Sequence, residues 1–244
     1  MESIANCSLE EIAELNHLLS QRLASAETLR HAAQGYTQEL RAHFGGLVAL
    51  ARLYVTFRMS ELPPGYREFA ERVAQENGVR EALSDRTSVM CLMGSSGVED
   101  AWNDPLESRG HMAIPLINGS FVENIPMVAR LLREVGAGLS WLDSEDSSVA
   151  IESLGSIGGL FYVQDANVAA DQKGRKIVPA QNFVSRYHIK SVFGLGGSYV
   201  GGSLVSLIVF TTESIERSQA HALMPLLNTF KSLTISKMLQ KKTF

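Results

Sequence analysis

Apolar residues recur along the first 45 positions at alternating steps of three and four: Ile12, Leu15, Leu19, Ala26, Leu29, Ala33, Tyr36 and Leu40. That spacing gathers side chains into one narrow stripe of an α-helix, the seam of a coiled coil or of a helix lying along a groove. Ser8-Leu-Glu-Glu11 opens it as a capping box, in which the serine hydroxyl accepts from an early amide and Glu11 reaches back to the Ser8 amide. A helix of roughly 30 residues is about 45 Å long, more than one small domain covers. The expectation is a coiled-coil-like, dimerising helix over residues 1–45, ahead of a domain spanning 46–244.

Behind the Gly45-Gly46 hinge, the continuous apolar run Leu47–Phe57 reads as a buried helix, with a strand as the alternative. Pro63-Pro64-Gly65 stops it, and Phe69, Val73 and the closing Asn77-Gly78 mark a short amphipathic helix. Two short apolar runs, Thr87–Met93 and His111–Leu116, read as strands, with Gly94-Ser-Ser-Gly97 as a turn closing the first. Ser120-Phe-Val-Glu123 resembles a second capping box, opening a helix through Val128, Leu131 and Leu132 that tolerates Pro126 near its first turn and stops at Gly136 and Gly138. Strands follow at 159–164, 190–195 and 203–210, and then a helix from Ile215 to about Gln240, kinked at Pro225. The order predicts an α+β fold: an antiparallel sheet with helices on its face, flanked by long N- and C-terminal helices.

Composition narrows the partners. With 45% apolar and 20% charged residues over 244 positions, the chain has an ordinary globular core, and a net charge of −4 offers no attraction to nucleic acid or to an anionic membrane. The longest uncharged segment, Val192–Thr212, is broken by glycines and reads as two strands rather than a membrane helix. The N-terminus carries no secretory pattern, and two cysteines, Cys7 and Cys91, make no disulfide framework, so a reduced, cytoplasmic compartment is expected. Gly194-Leu-Gly-Gly197 lacks the third glycine of a dinucleotide loop, Tyr199 standing in its place. The acidic run from Asp143 to Ser148 and the basic cluster Lys173-Gly-Arg-Lys176 read as exposed loops, the latter with an alternative role near an anionic ligand.

Candidate chemistry concentrates between Cys91 and Leu116. A loop offering Trp102, Asn103, Ser108, Arg109 and His111 beside the Cys91 thiol suits the gripping of a small polar or planar ligand. Cys91 and His111 are also capable ligands for haem iron or zinc, although two residues do not fill a tetrahedral site. As nucleophile and base, with Asn103 or Asp104 orienting the imidazole, they would make a thiol-dependent enzyme. Each has a plainer reading: Cys91 as a core residue, His111 as a hydrogen-bonded structural residue and Trp102 as a plug over the sheet end.

Ala101-Trp-Asn-Asp104, Ser108-Arg-Gly-His-x-Ala-Ile-Pro-Leu116, Ile125-Pro-Met127, Phe183-Val, Ser191-Val-Phe-Gly-x-Gly-Gly197 and Ser206-Leu-Ile-Val-Phe210 together resemble a GAF-like sensory domain. That domain type occurs in bacterial signalling proteins, commonly ahead of histidine kinase modules, and the resemblance covers roughly residues 50–240. It implies a sheet of about six strands, helices packing a homodimer on one side, and a loop-closed pocket on the other. The implied function is a cytoplasmic sensor that binds a small molecule or cofactor near Cys91, Trp102, Asn103, Ser108, Arg109 and His111. Terminal helices would pass the bound state to a downstream signalling protein. The alternative is an adaptor or oligomerisation module with an empty pocket. Nothing like a kinase, cyclase or DNA-binding module follows Phe244.

Overall fold

A computed structural model describes residues 3–143 and 158–244, so all but the first residue of the acidic run at 143–148 lies outside it. Six strands, β1 (Val48–Arg58), β2 (Ser88–Gly97), β3 (Ala113–Leu116), β4 (Gly158–Val163), β5 (Ser191–Ser198) and β6 (Leu204–Thr211), make one sheet in the order β3-β2-β1-β6-β5-β4. Every neighbouring pair is antiparallel. The α+β architecture expected from the hydrophobic pattern is the architecture observed.

Side chains alternate across each strand and build two cores. On one face Leu53, Val55, Cys91, Phe193 and Leu207 meet the helices α1 (Leu9–Ala24), α2 (Leu29–Phe44), α3 (Pro64–Glu76) and the C-terminal helices. On the other, Leu50, Tyr54, Met90, Ile208 and Phe210 lie under two short helices, α4 (Gly119–Glu123) and α5 (Pro126–Glu134), and under α6 (Gln181–Arg186). Strand β1, at the middle of the sheet, is covered on both faces. Its sequence therefore shows no alternation, and the run 47–57 is a strand rather than a buried helix.

The single N-terminal helix is in fact two. The Thr28 hydroxyl accepts from the His31 amide and begins α2 afresh. Meanwhile the carbonyls of Lys242 and Thr243 accept from the Leu29 and Arg30 amides at 2.8 and 3.0 Å. Those amides belong to the four that a helix start leaves without partners, so a distant segment completes the cap. Phe244 anchors that segment, its ring centroid 5.0 Å from both Phe57 and Tyr66. The seam leucines at 15, 19, 29 and 40 are buried in the chain's own core, where each contributes roughly 1.5–3 kcal/mol. Ser8 and Glu11 form the expected capping box.

Four further boundaries differ from expectation. Asn118, not Ser120, caps α4, and Pro126 starts a separate helix α5 instead of sitting inside one. The C-terminal helix is divided into α7 (Arg217–Ala222) and α8 (Met224–Leu239), with Pro225 in the first turn of α8, where its missing amide costs nothing. Gly94-Ser-Ser-Gly97 is not a turn but the end of β2.

The glycine at 94 is there for close approach: a Cβ on it would collide with the Ala33 carbonyl and lie 2.8 Å from the Gln34 amide nitrogen, so α2 rests backbone to backbone on β2. Gly94→Ala should cost about 3 kcal/mol, the upper part of the range for overpacked cores, measured as a lower denaturant midpoint at constant slope. Gly65→Ala, at a helix position with nothing within 4 Å of the added carbon, should be neutral or stabilising.

Candidate functional site

A cavity of about 230 Å³ lies between the sheet and the α5–α6 layer, on the face away from the long helices. Leu50, Arg52 and Tyr54 of β1 form its floor with Met90, Ile114 and Ile208, every second residue of β1 pointing the same way. Met127, Val128 and Leu131 of α5 wall one side, and Pro179, Ala180 and Phe183 wall the other. Trp102, His111, Ile125, Val178 and Phe210 complete the lining. The shift in pairing between β1 and β2 at Leu53/Tyr54 is a bulge beside the floor, a common way to re-aim side chains next to a site.

Trp102 is held from several directions. Its ring meets Tyr187 edge-on at 4.7 Å and Phe183 at 5.5 Å, and Phe183 in turn meets Phe210 at 5.2 Å. Gly97 gives it room, since a Cβ there would come 2.7 Å from the indole. The Tyr187 hydroxyl donates to Glu99 at 2.6 Å, tying α6 to the loop that carries the tryptophan.

The other candidate residues are placed differently. Asn103 braces the loop: its side-chain oxygen accepts from the Gly97 amide at 2.9 Å and its side-chain nitrogen donates to the Glu99 carbonyl at 3.1 Å. Ser108 does not line the cavity, and its hydroxyl is buried without a partner among the described residues. Arg109 is exposed and outside the lining. Cys91 belongs to the opposite core, one residue out of phase with Met90, and burial pushes its thiol well above the usual range. Cys91 and His111 therefore face opposite sides of the sheet, so they cannot share a haem iron or zinc ion, nor act as nucleophile and base. Among the described residues no group of three or more His, Cys, Asp or Glu side chains is arranged to hold a metal. The basic cluster is structural, Arg175 pairing with Asp171 at 2.7 Å and donating to the Glu123 carbonyl at 2.8 Å.

Arg52 is the lining residue that the reading of the loop passed over. Its signal was present: it is the one charge inside the otherwise uncharged stretch Val48–Phe57. Among the described residues its Nε is buried with no acceptor and no Asp or Glu lines the cavity. Crowding by protein first, and the Arg52 charge second, push His111 down to about 4 from 6.5, although the side chain is exposed to solvent on its outer side and water there opposes the shift. It is neutral at pH 7. Burial raises the Tyr54 phenol, with the Arg52 guanidinium opposing.

A second link joins this region to the long helices. Where β3 ends, the edge of β2 is left open, and Gln34 of α2 fills it: its side-chain nitrogen donates to the Ser95 and Asn103 carbonyls, both at 2.9 Å, and its oxygen accepts from the Ser95 amide at 2.9 Å. No helix among the described residues is long and apolar enough to cross a membrane.

No family model and no curated protein sequence matches the chain. Solved structures do. The GAF domain of a phosphoenolpyruvate-protein phosphotransferase from Coxiella burnetii superposes with a TM-score of 0.51 at 11% identity, over 96% of this chain and 98% of that one. A free methionine-R-sulfoxide reductase from Neisseria meningitidis, solved with its substrate, gives 0.48 at 9% identity over 96% and 93%. The phycoerythrobilin-bound GAF domain of a cyanobacterial phytochrome gives 0.48 at 10% identity over 94% and 97%. The chain has a GAF-like fold.

The depressed value of His111 has a consequence with a definite sign. The unfolded chain takes up this proton near pH 6.5 and the folded chain only near 4, so the residue's contribution to stability is complete above pH 6.5 and is lost as the pH falls toward 4. His111→Gln should flatten the fall of the denaturation midpoint across that window. Equal slopes in the two proteins, or an NMR titration of His111 centred near its ordinary value, would contradict this.

Proposed function

We propose that the chain is the receptor domain of a signalling protein, taking a small molecule into the cavity over β1 and passing its state to the helical layer on the other face. The observation that carries this reading is the cavity itself, an apolar chamber with few polar groups, ringed by Trp102, His111 and Arg52. Its place over the open face of a GAF-like sheet supports it further. A fold selected for stability alone would close such a void, because unfilled space forfeits packing energy.

The proposed route of transmission is short. Gln34 is bonded both to Ser95, the cross-strand partner of Arg52, and to Asn103, the neighbour of Trp102. A ligand that moves the floor or the tryptophan loop acts on α2 through that one side chain, provided it favours one of two arrangements of the helices. We assign the outer face of the helical layer to a second copy of the chain, since Leu18 of α1 and Leu233 and Leu239 of α8 are exposed there. A downstream signalling protein would read the dimer, in the reduced interior of the cell.

Native mass spectrometry of freshly purified protein should find a retained small molecule or an empty dimer that accepts one. Met127→Trp, which plugs the half-buried wall of the cavity, should abolish uptake without unfolding the chain, and ligand addition should change the Trp102 fluorescence in the wild type but not in Trp102→Phe. Gln34→Ala should leave affinity within about threefold while removing the ligand's effect on hydrogen exchange in α2. Uptake unchanged by the plug would refute the cavity reading, and a wild-type monomer would refute the dimer.

A further inference from the structure

The geometry points to a small organic carboxylate as the occupant of the cavity, its carboxylate held by Arg52 and Ser95 and its apolar body lying over the floor. This rests on the cavity being a receptor site. Two donors carry it. The Nε of Arg52 and the Oγ of Ser95 are both buried without a hydrogen-bond partner among the described residues, and Ser95 is only 1% exposed. They are direct partners across the β1–β2 ladder, which places their side chains on the same face. Arg52 lines the cavity and Ser95 lies just outside its lining, so Arg52 presents the site and Ser95 is a second donor for an acceptor seated deep against β2.

The sign of that acceptor follows from the charges present. Arg52 is a partly buried cation whose Nε is wholly buried without an acceptor among the described residues, and a buried donor left without a partner is costly. Among the described residues no carboxylate lines the cavity; its titratable neighbours there are the Tyr54 phenol, which the Arg52 guanidinium meets, and His111, lowered by burial first and by the Arg52 charge second. Arg52 is therefore the one charged side chain among the described residues lining the chamber, and it makes the chamber attractive to an anion. An anion with two in-plane oxygens meets a guanidinium as a fork meets a fork, with the serine hydroxyl left for either oxygen. A phosphoryl group, with about two charges and three acceptor oxygens, asks for more donors than these.

The rest of the ligand is set by the walls. Met90, Ile114, Leu131, Ile208 and Phe210 offer carbon to the body, and Trp102 offers an indole face or edge. At about 230 Å³ the chamber is below the ~300–1,000 Å³ of drug-sized sites, so the body is a single aromatic ring or a short alkyl chain.

The test uses 3-phenylpropionate and octanoate against their primary amides, which keep the body and remove the charge. In titration calorimetry on the full chain the acids should bind at least about tenfold more tightly than the amides, the separation expected from a charge-assisted hydrogen bond. Arg52→Met should bring acid and amide to parity while retaining the amide, and Ser95→Ala should weaken the acid about threefold or more. The ligand-free Arg52→Met protein should melt at the same or a higher temperature, because an unpaired charge has been exchanged for an apolar chain. Amides that match the acids in the wild type overturn the carboxylate while leaving the receptor cavity standing. Acids and amides that bind Met127→Trp as tightly as the wild type overturn both readings, and no binding of either set to the wild type overturns the carboxylate. An Arg52→Met protein of native circular dichroism that loses acid and amide alike would make Arg52 a purely structural residue.

Discussion

The approach of α2 to β2 at Gly94 is the constraint from which the rest of the structure follows. Because the Ala33 backbone sits where any side chain on residue 94 would sit, the helix lies unusually close to the sheet. Only from that distance can the amide of Gln34 reach the open edge of β2 and serve as the missing neighbouring strand. Ser95 is fixed by those bonds, Arg52 lies opposite Ser95, and three residues beyond Gly94 the same strand gives up another side chain, at Gly97, to admit Trp102. One strand is thus pressed by the helical layer on one side and by the tryptophan loop on the other.

Most of the fold could be read from periodicity, and the failures share a cause. Five of the six strands and the Ser8 capping box show in local pattern because local chemistry decides them. The run 47–57 was ambiguous because a strand buried on both faces shows no period, and its length suits a helix as well. The break at residues 25–28 was hidden because half of its cap comes from Lys242 and Thr243, more than any window of sequence can see. At Gly94 a residue that commonly marks a turn was serving contact with another element. Of the candidate residues, Trp102 and His111 line the cavity. Cys91 does not, because strand parity, fixed by pairing with β1, turns it to the other core. Arg52 gives a weak signal because it lies far in sequence from the loop rich in functional groups and shows itself only as a single charge in an apolar strand.

The region over β1 departs from what folding by itself would favour. It combines an empty volume, a guanidinium nitrogen without an acceptor and an imidazole kept neutral by its surroundings. Each feature is individually unfavourable, and all three are collected within one chamber while the opposite face of the sheet is packed with leucine, valine and phenylalanine. Such segregation of strain from stability is what a binding site on a rigid scaffold requires.

The docking of residues 242–244 onto the start of α2 also bears on how the protein is made. Leu29 and Arg30 emerge from the ribosome long before Lys242 and Thr243, so the first turn of α2 waits with bare amides while nearly the whole sheet is synthesised. The slot between Phe57 and Tyr66 waits equally for Phe244. Closure of the helical layer is therefore a late event of biogenesis, dominated by contacts between remote parts of the chain, and nascent molecules stalled short of that point are natural clients for chaperones.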